Sequence, residues 1–145
     1  MTGIRAVLAA AIALGLAACT QSIPAPRPVE LGKTTCAKCR HVVSSLDAAA
    51  QAVYADGTAR IYDDLGCMAT DPEAVRGQAQ LYVQLAGGKG WVRVEDITFA
   101  SPPGTRTPQG FNYLAYPEEE ARQLAPDGWA RGWHDLVREL AQARR

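Results

Sequence analysis

Short strand-like and helix-like segments alternate along this chain of 145 residues, which predicts an α+β fold. Three patterns support that prediction: a hairpin at 51–62, an alternating apolar segment at 80–85 and a helical apolar stripe at 133–140. The length is typical of one domain with its own core. The 15 Lys+Arg residues balance 15 Asp+Glu, which argues against a nucleic-acid-binding protein, because such proteins need a basic face.

The hairpin is centred on Asp56-Gly57, which lies between the strand-like segments 51–54 and 59–62. A two-residue type I′ turn needs positive φ at both central residues, and this dipeptide is typical of it. Two aspartates at 63–64 then precede a predicted short helix, 65–69, because acidic residues suit the start of a helix. We expect both aspartates to serve the helix start, since carboxylates are hard donors that soft metals disfavour.

The second half contains a predicted strand at 80–85, where Leu81, Val83 and Leu85 share one face. A helix is predicted to begin at Pro117, followed by three glutamates in the first turn, and to end at Pro126. The remaining predicted strands are 42–43, 91–94, 97–100 and 111–116, and 101–110 is a predicted loop rich in proline and glycine.

The C-terminal segment has a helical apolar stripe that we interpret as core. Its members are spaced i, i+3, i+4 and i+7, the period of one helix face. His134 and Asp135 lie beside the stripe, and we expect them on a solvated face rather than in a catalytic pair. The stripe consists of Trp133, Leu136, Val137 and Leu140.

The first 18 residues have the features of a bacterial export signal. Arg5 precedes an apolar segment, 6–18, which is shorter than the about 20 residues that cross a membrane. Leu16-Ala17-Ala18-Cys19 has the form of a lipobox, with cleavage before Cys19 and lipidation of its thiol. An ordinary secretory signal with a cysteine at the junction is the alternative. We therefore predict a signal peptide over 1–18 and a periplasmic protein anchored to a membrane by lipid on Cys19.

A proline-rich segment, 19–33, follows the predicted lipidation site, with Pro24, Pro26 and Pro28 at alternate positions. Proline favours an extended helix of ~3.1 Å per residue, so this tether could hold the domain roughly 43 Å from the anchor. We expect the folded domain to cover 34–145.

Once Cys19 carries lipid, three thiols remain, an odd count that does not suit a purely structural disulfide framework. Two of them form a Cys-x-x-Cys pair with a histidine two residues later, and the third is followed directly by a methionine. Most soft donors of the mature chain therefore lie in two short clusters. The predicted metal ligands are Cys36, Cys39, His41, Cys67 and Met68.

Several chemistries compete for these residues. A c-type haem requires histidine where Arg40 stands, and a thioredoxin-like pair requires a helix start that the sequence after Cys39 does not indicate. Zinc would be held by a Cys3His set that includes His41, whereas Cu(I) would also use the thioether of Met68. A Cys36–Cys39 disulfide with a buried Cys67 and Met68 is the purely structural alternative.

At these motifs the chain resembles the NosL family, copper-binding lipoproteins that accompany nitrous-oxide reductase. The most specific motif is the segment 61–68, Ile-Tyr-Asp-Asp-Leu-Gly-Cys-Met, and the lipobox and Cys36-Ala37-Lys38-Cys39 also agree. Thr107-Pro108-Gln109-Gly110 and the closing helix are weaker matches. Two family methionines are replaced: Cys-Gly-Met is Cys39-Arg40-His41 here, and Thr-Pro-Met is Thr107-Pro108-Gln109.

The resemblance implies two related ββαβ units in one compact domain and a Cu(I) metallochaperone without catalysis of its own. It also implies that the metal passes to nitrous-oxide reductase, with a membrane ABC-type complex as a further partner. The residues themselves leave a zinc-stabilised interaction module and a thiol-disulfide redox protein open as alternatives. A hydrolase that pairs a cysteine with His41 or His134 is a further enzymatic alternative.

Overall fold

A four-stranded antiparallel sheet is the largest element of the computed structural model, which describes residues 22–125 and 128–143. Its strands lie in the order β2-β1-β3-β4. A second sheet pairs β5 with β6, also antiparallel. The strands are β1 (Ala50–Val53), β2 (Ala59–Tyr62), β3 (Gln80–Gln84), β4 (Trp91–Arg93), β5 (Thr98–Ala100) and β6 (Leu114–Tyr116).

In the described residues two short helices lie between β2 and β3, a 3-10 turn lies between β4 and β5, and two further helices follow β6, so the predicted α+β class is confirmed. The first helix has the predicted bounds, and the last carries the predicted stripe, with Trp133, Leu136 and Leu140 buried and His134 exposed. The helices are α1 (Leu65–Ala69), α2 (Pro72–Arg76), α3 (Glu118–Leu124) and α4 (Trp133–Gln142), and the 3-10 turn is Val94–Asp96.

The strand pairing repeats once along the chain. In the first half β1 is central, with β2 on one side and β3 on the other, and α1 and α2 lie between β2 and β3 in sequence. In the second half β5 is central and pairs with β6. On its other side Phe99 of β5 forms an isolated bridge with Arg131. Helix α3 precedes Arg131 in sequence. The last strand of the second unit is thus reduced to a bridge. This pattern agrees with the two related ββαβ units that the resemblance implies.

The turn between β1 and β2 differs from the predicted type I′ form. The Gly57 N–H donates to Tyr54 O (2.9 Å) and the Tyr54 N–H donates to Thr58 O (2.9 Å), so three residues, 55–57, form the loop. Gly57 has φ 82°, but Asp56 does not take positive φ. The Asp56 carboxylate instead accepts hydrogen bonds from the Thr58 N–H and hydroxyl, which stabilises the longer turn. The predicted hairpin is confirmed, and the predicted type I′ turn is wrong.

One face of the large sheet builds the core. Tyr62, Leu81 and Val83 pack there against α1 and α4, and the cluster also contains Phe99 of β5. The Phe99 ring lies 5.8 Å from the Trp133 ring between their centroids. The core also includes Cys36, Cys67 and Met68, so the predicted ligands lie at its edge.

The opposite face is covered by residues 24–27, which we call the N-terminal strap. Gln51 of β1 is fully buried there; its side chain accepts from the Arg27 N–H (2.8 Å) and donates to Arg27 O (3.2 Å). Tyr82, the register partner of Gln51 on β3, donates its hydroxyl to Pro24 O (2.8 Å). Residues 24–33 of the expected tether therefore lie on the domain, and the extended reach expected from 19–33 is correspondingly shorter.

Several segments differ from the sequence expectations. The strand predicted at 42–43 is a single bridge between Thr35 and Val42, and the strand predicted at 111–116 is confined to its last three residues, β6. Helix α2 was not predicted. Cys19, the signal peptide and Pro126 lie outside the described residues. Within the described part of the chain, no helix has the length and hydropathy needed to cross a membrane.

Candidate metal centre

The Cys-x-x-Cys segment forms a tight turn. The Cys36 N–H donates to His41 O (2.8 Å) and the Arg40 N–H donates back to Cys36 O (3.1 Å). This geometry requires φ 69° at Arg40, a left-handed conformation that non-glycine residues rarely adopt. The Ala37 N–H donates to Ile61 O (2.7 Å), which fastens the turn to the end of β2. Because no helix follows Cys39, the arrangement lacks the helix start that lowers a thiol pKa in thioredoxin-like pairs.

The second ligand segment runs from the end of β2 into α1. Asp64 has extended backbone and caps the helix, since its Oδ1 accepts from the Gly66 N–H at 2.9 Å. Its predicted role at the helix start is therefore confirmed. Cys67 lies in α1 itself and is only 2% exposed. Asp63 precedes the cap and is also buried.

Four side chains from these two segments converge. The sulfurs of Cys36, Cys39 and Cys67 and one carboxylate oxygen of Asp63 all lie within 4.8 Å of one another. Cys36 and Cys67 are buried, whereas Cys39 is half-buried, so the cluster is accessible on the Cys39 side. All three cysteines are free thiols. A Cys3Asp set of this size could hold a metal ion such as zinc or copper.

The three thiols do not have equal acidity. A hydrogen bond from Cys67 lowers the pKa of Cys36, against the opposing effect of burial, and the same contact raises the pKa of Cys67. Burial raises the pKa of Cys39 to about 11. Cys36 is therefore the first of the three to ionise, and a metal ion would displace protons from the other two, because thiolates are the coordinating form.

A loop from the second unit, residues 107–109, is bound to both aspartates. The Thr107 hydroxyl (2.6 Å) and the Gln109 N–H (3.0 Å) donate to Asp64 Oδ2. The Gln109 side-chain amide donates to Asp63 Oδ2 at 2.9 Å. Burial raises the pKa of the Asp64 carboxyl although these hydrogen bonds oppose the shift. The loop thereby joins the second unit to the centre.

His41 does not belong to the converging group. It is exposed, and its Nδ1 lies 3.0 Å from Gln109 Nε2, the atom that also contacts Asp63. Met68 is fully buried in the core beside Cys67, and its role as a ligand stays a prediction. The structure thus brings together three of the five predicted ligands and adds Asp63.

Asp63 was missed because its carboxylate was assigned to the helix start on grounds of donor hardness. Helix periodicity could not identify it, because Asp63 precedes the extended N-cap Asp64 and lies outside the helix; only its closeness to Cys67 in sequence pointed to it. The 107–109 loop was noted in the sequence only as a weaker match to the family, and nothing local predicted its contacts with the two aspartates. Its contacts span more than 40 residues along the chain, for example 46 between Gln109 and Asp63.

Comparison with protein-family models finds no match for this chain. No curated protein matches it either. The conclusions about function therefore depend on the sequence motifs and on the geometry of the Cys3Asp cluster.

Proposed function

We propose that the protein is a periplasmic, membrane-anchored carrier of Cu(I), similar in role to the NosL family, and that it has no catalytic activity of its own. The observation that carries the proposal is the convergence of three free thiols from two separate segments at a half-exposed position. Cu(I) is soft, selects thiolate donors and accepts low coordination numbers, so three thiolates satisfy it. Cys36, Cys39 and Cys67 are the proposed donors.

Partial exposure of the centre supports transfer rather than permanent storage. A metal ion passes between proteins by ligand exchange, which requires an incoming donor to approach it. Cys39 is half-buried, whereas Cys36 and Cys67 are covered, so an incoming donor would approach from the Cys39 side. Two covered thiolates would hold the ion while the third exchanges.

The proposed setting follows from the lipobox and the resemblance. A lipid on Cys19 would confine the domain to a membrane surface and raise its effective concentration for a partner docked there. The proposed partners are nitrous-oxide reductase, as recipient of copper, and its membrane ABC-type maturation complex. The segments that support them are 16–19, 36–39 and 61–68.

A zinc-binding interaction module is the second candidate, and Asp63 favours it. Zinc takes four ligands, including carboxylate oxygen, and a Cys3Asp set completes a tetrahedron. Cu(I) gains little from a hard carboxylate. A thiol-disulfide redox protein is the third candidate. The turn geometry of Cys36 and Cys39 argues against it, because the pair does not open a helix.

An anaerobic competition titration tests the proposal. The mature chain with Cys19→Ser would be titrated with Cu(I) against a chromogenic chelator and, in parallel, with zinc. We expect one Cu(I) per chain that zinc does not displace. Zinc held more firmly than Cu(I) would contradict the copper proposal and favour the second candidate.

Single substitutions then locate the site. Cys36→Ser, Cys39→Ser and Cys67→Ser should each weaken Cu(I) binding, whereas His134→Ala, a change at an exposed residue of α4, should not. Met68→Leu preserves volume and removes the thioether, so it tests that predicted ligand separately. Unchanged Cu(I) affinity in all three cysteine variants would exclude the proposed centre.

A further inference from the structure

We propose that Gln109 is a positioning residue that determines the donor set of the metal centre, by holding Asp63 in the cluster and His41 out of it. The inference rests on the proposed metal binding and deepens it, because it concerns the choice between metals. It depends on one side-chain amide that contacts a carboxylate of the cluster and an imidazole beside it.

The amide nitrogen of Gln109 lies 2.9 Å from Asp63 Oδ2 and 3.0 Å from His41 Nδ1. The other oxygen of the same carboxylate, Asp63 Oδ1, accepts a hydrogen bond from Cys39 Sγ at 3.3 Å. Asp63 therefore has one oxygen directed at a thiol of the cluster and the other held by Gln109. Loss of the amide contact would free the carboxylate to rotate away from the sulfurs.

The chemistry of the three groups fixes the direction of both hydrogen bonds. A carboxylate only accepts, so the amide must present N–H rather than its oxygen to Asp63. The same nitrogen cannot accept, so its second N–H donates to His41 Nδ1. The ring proton of His41 then lies on Nε2. In this arrangement neither ring nitrogen of His41 offers a free lone pair to a metal ion.

The backbone of Gln109 is held rigidly enough to impose this orientation. Its N–H donates to Asp64 Oδ2, the carboxylate that caps α1. The Thr107 hydroxyl binds the same oxygen, and the Gly110 N–H closes the turn onto Thr107 O at 3.0 Å. The loop and the helix start are thus one hydrogen-bonded unit, with the Gln109 amide directed at the centre.

The consequence is a difference between metals. Zinc uses a carboxylate as its fourth ligand, so its affinity should depend on the orientation of Asp63. Cu(I) is satisfied by the three thiolates and should depend on it far less. Residues that orient a metal ligand through a hydrogen bond contribute about 10–100-fold to metal affinity.

The test measures zinc and Cu(I) affinities of Gln109→Leu by chelator competition. Leucine has a similar volume and keeps the backbone N–H, but it has no side-chain N–H group. We expect zinc affinity to fall about tenfold and Cu(I) affinity to change less than about threefold. His41→Ala should leave the zinc and Cu(I) affinities within about threefold of the wild type, because in this proposal the histidine coordinates neither metal ion. Gln123→Ala, which changes an exposed glutamine of α3, is the matched control.

A double-mutant cycle separates positioning from a general effect on folding. In an Asp63→Asn background, Gln109→Leu should have no further effect on zinc affinity, because its partner no longer coordinates. Gln109→Ala serves as a second variant, with far-UV circular dichroism to verify the fold of each protein.

Three results would overturn the inference. Equal losses for zinc and Cu(I) would indicate a general structural role, and an undiminished zinc effect in the Asp63→Asn background would exclude action through Asp63. A His41→Ala loss as large as that of Asp63→Asn would make the histidine a ligand. Failure of the unmodified protein to bind either metal would instead refute the proposed function itself, and with it the inference.

Discussion

Arg40 occupies a backbone conformation that suits glycine, in the turn that presents Cys36 and Cys39. Its φ of 69° carries a steric cost of about 1–2 kcal/mol for a residue with a Cβ atom. Glycine relieves this strain but has more conformational freedom in the unfolded state, which offsets part of the gain. We expect Arg40→Gly to raise the free energy of unfolding of the reduced, metal-free protein by a net value of about 1 kcal/mol. Urea denaturation measures the change.

Arg40→Ala is the control for that substitution. Alanine removes the guanidinium and keeps the Cβ, so the strain stays and the stability should remain within about 0.5 kcal/mol of the wild type. If Arg40→Ala stabilised the protein as much as Arg40→Gly, the benefit would come from loss of charge rather than from relief of strain.

Asp71 has two roles: it binds two side chains of β2, and it caps helix α2. Its Oδ2 accepts hydrogen bonds from the Arg60 guanidinium and the Tyr62 hydroxyl, both at 2.8 Å, and its Oδ1 caps α2. Asp71→Asn keeps the shape and an acceptor oxygen but removes the charge. We expect it to cost about 1–3 kcal/mol at pH 7, measured by urea denaturation, because hydrogen bonds to charged groups are the stronger ones.

The stability difference between the wild type and Asp71→Asn should also depend on pH. Burial opposes ionisation of Asp71, but the hydrogen bonds from Arg60 and Tyr62 prevail and hold its pKa below the usual value. Its stabilisation is therefore present above about pH 4 and is lost as the pH falls through the folded-state pKa. Burial shifts the Asp64 pKa in the opposite direction, so total stability does not isolate Asp71. The difference between wild type and Asp71→Asn should shrink below about pH 4, and a constant difference would contradict the assignment.

At the scale of single residues, the soft donors were predictable and their hard partner was not. Cysteines 36, 39 and 67 stand out by spacing, and the structure brings their sulfurs together. Asp63 was assigned to the helix start, and Gln109 stands in a weaker match to the family motif, so neither was predicted to act at the cluster. Their roles arise from a contact 46 residues apart in sequence, which local pattern cannot supply.

Helix α1 depends on a glycine at its second position for its contact with the 107–112 loop. A Cβ on Gly66 would overlap the ring of Phe111, which packs directly over it. We expect Gly66→Ala to lower the free energy of unfolding by about 1–3 kcal/mol, the usual cost of overpacking. Thermal or urea denaturation followed by circular dichroism measures it.

Two comparisons make the Gly66 prediction specific. Gly132, at the start of α4, has open space where a Cβ would lie, so Gly132→Ala should cost less. A Cβ on Gly66 would also lie 2.5 Å from the Phe111 Cβ, so the matched background is Phe111→Gly, in which Gly66→Ala should cost little because the ring and its Cβ are both gone. An equal loss with and without the ring would mean that helix geometry, not packing, excludes a side chain.

Elements with a strong periodic or capping signal were predictable, whereas elements defined by distant packing were not. Helices α1 and α4 and the β1–β2 hairpin follow from sequence. Helix α2 is the exception: it is five residues long, like α1, and its start signal Asp71-Pro72 was present in the sequence but not used. Strand β6 begins late because Asn112 takes φ 61° and the Asn112 N–H donates to Thr107, which breaks the predicted strand.

In the molecule as a whole, the Cys3Asp cluster lies at the edge of a core that other contacts already fix. The core contains Tyr62, Phe99 and Leu136, all fully buried, and the strap covers the opposite face of the sheet through Gln51. The large sheet and the smaller one meet at a parallel bridge between Leu85 and Ala115. A metal ion bound at the edge of such a core would add stability to a fold that the apolar residues already specify.

We therefore expect the reduced, metal-free protein to stay folded after chelation, unlike a domain whose structure depends on zinc. Metal should then add to the free energy of unfolding by mass action, about 2.7 kcal/mol at a free concentration about one hundred times the dissociation constant. Urea denaturation with and without chelator, followed by far-UV circular dichroism, measures both quantities. Cys67→Ser is the control, because it should abolish the metal-dependent increment while leaving a folded protein. A random-coil spectrum on chelation would show that the ion is part of the folding core, which would support the zinc-dependent module over a carrier that releases its cargo.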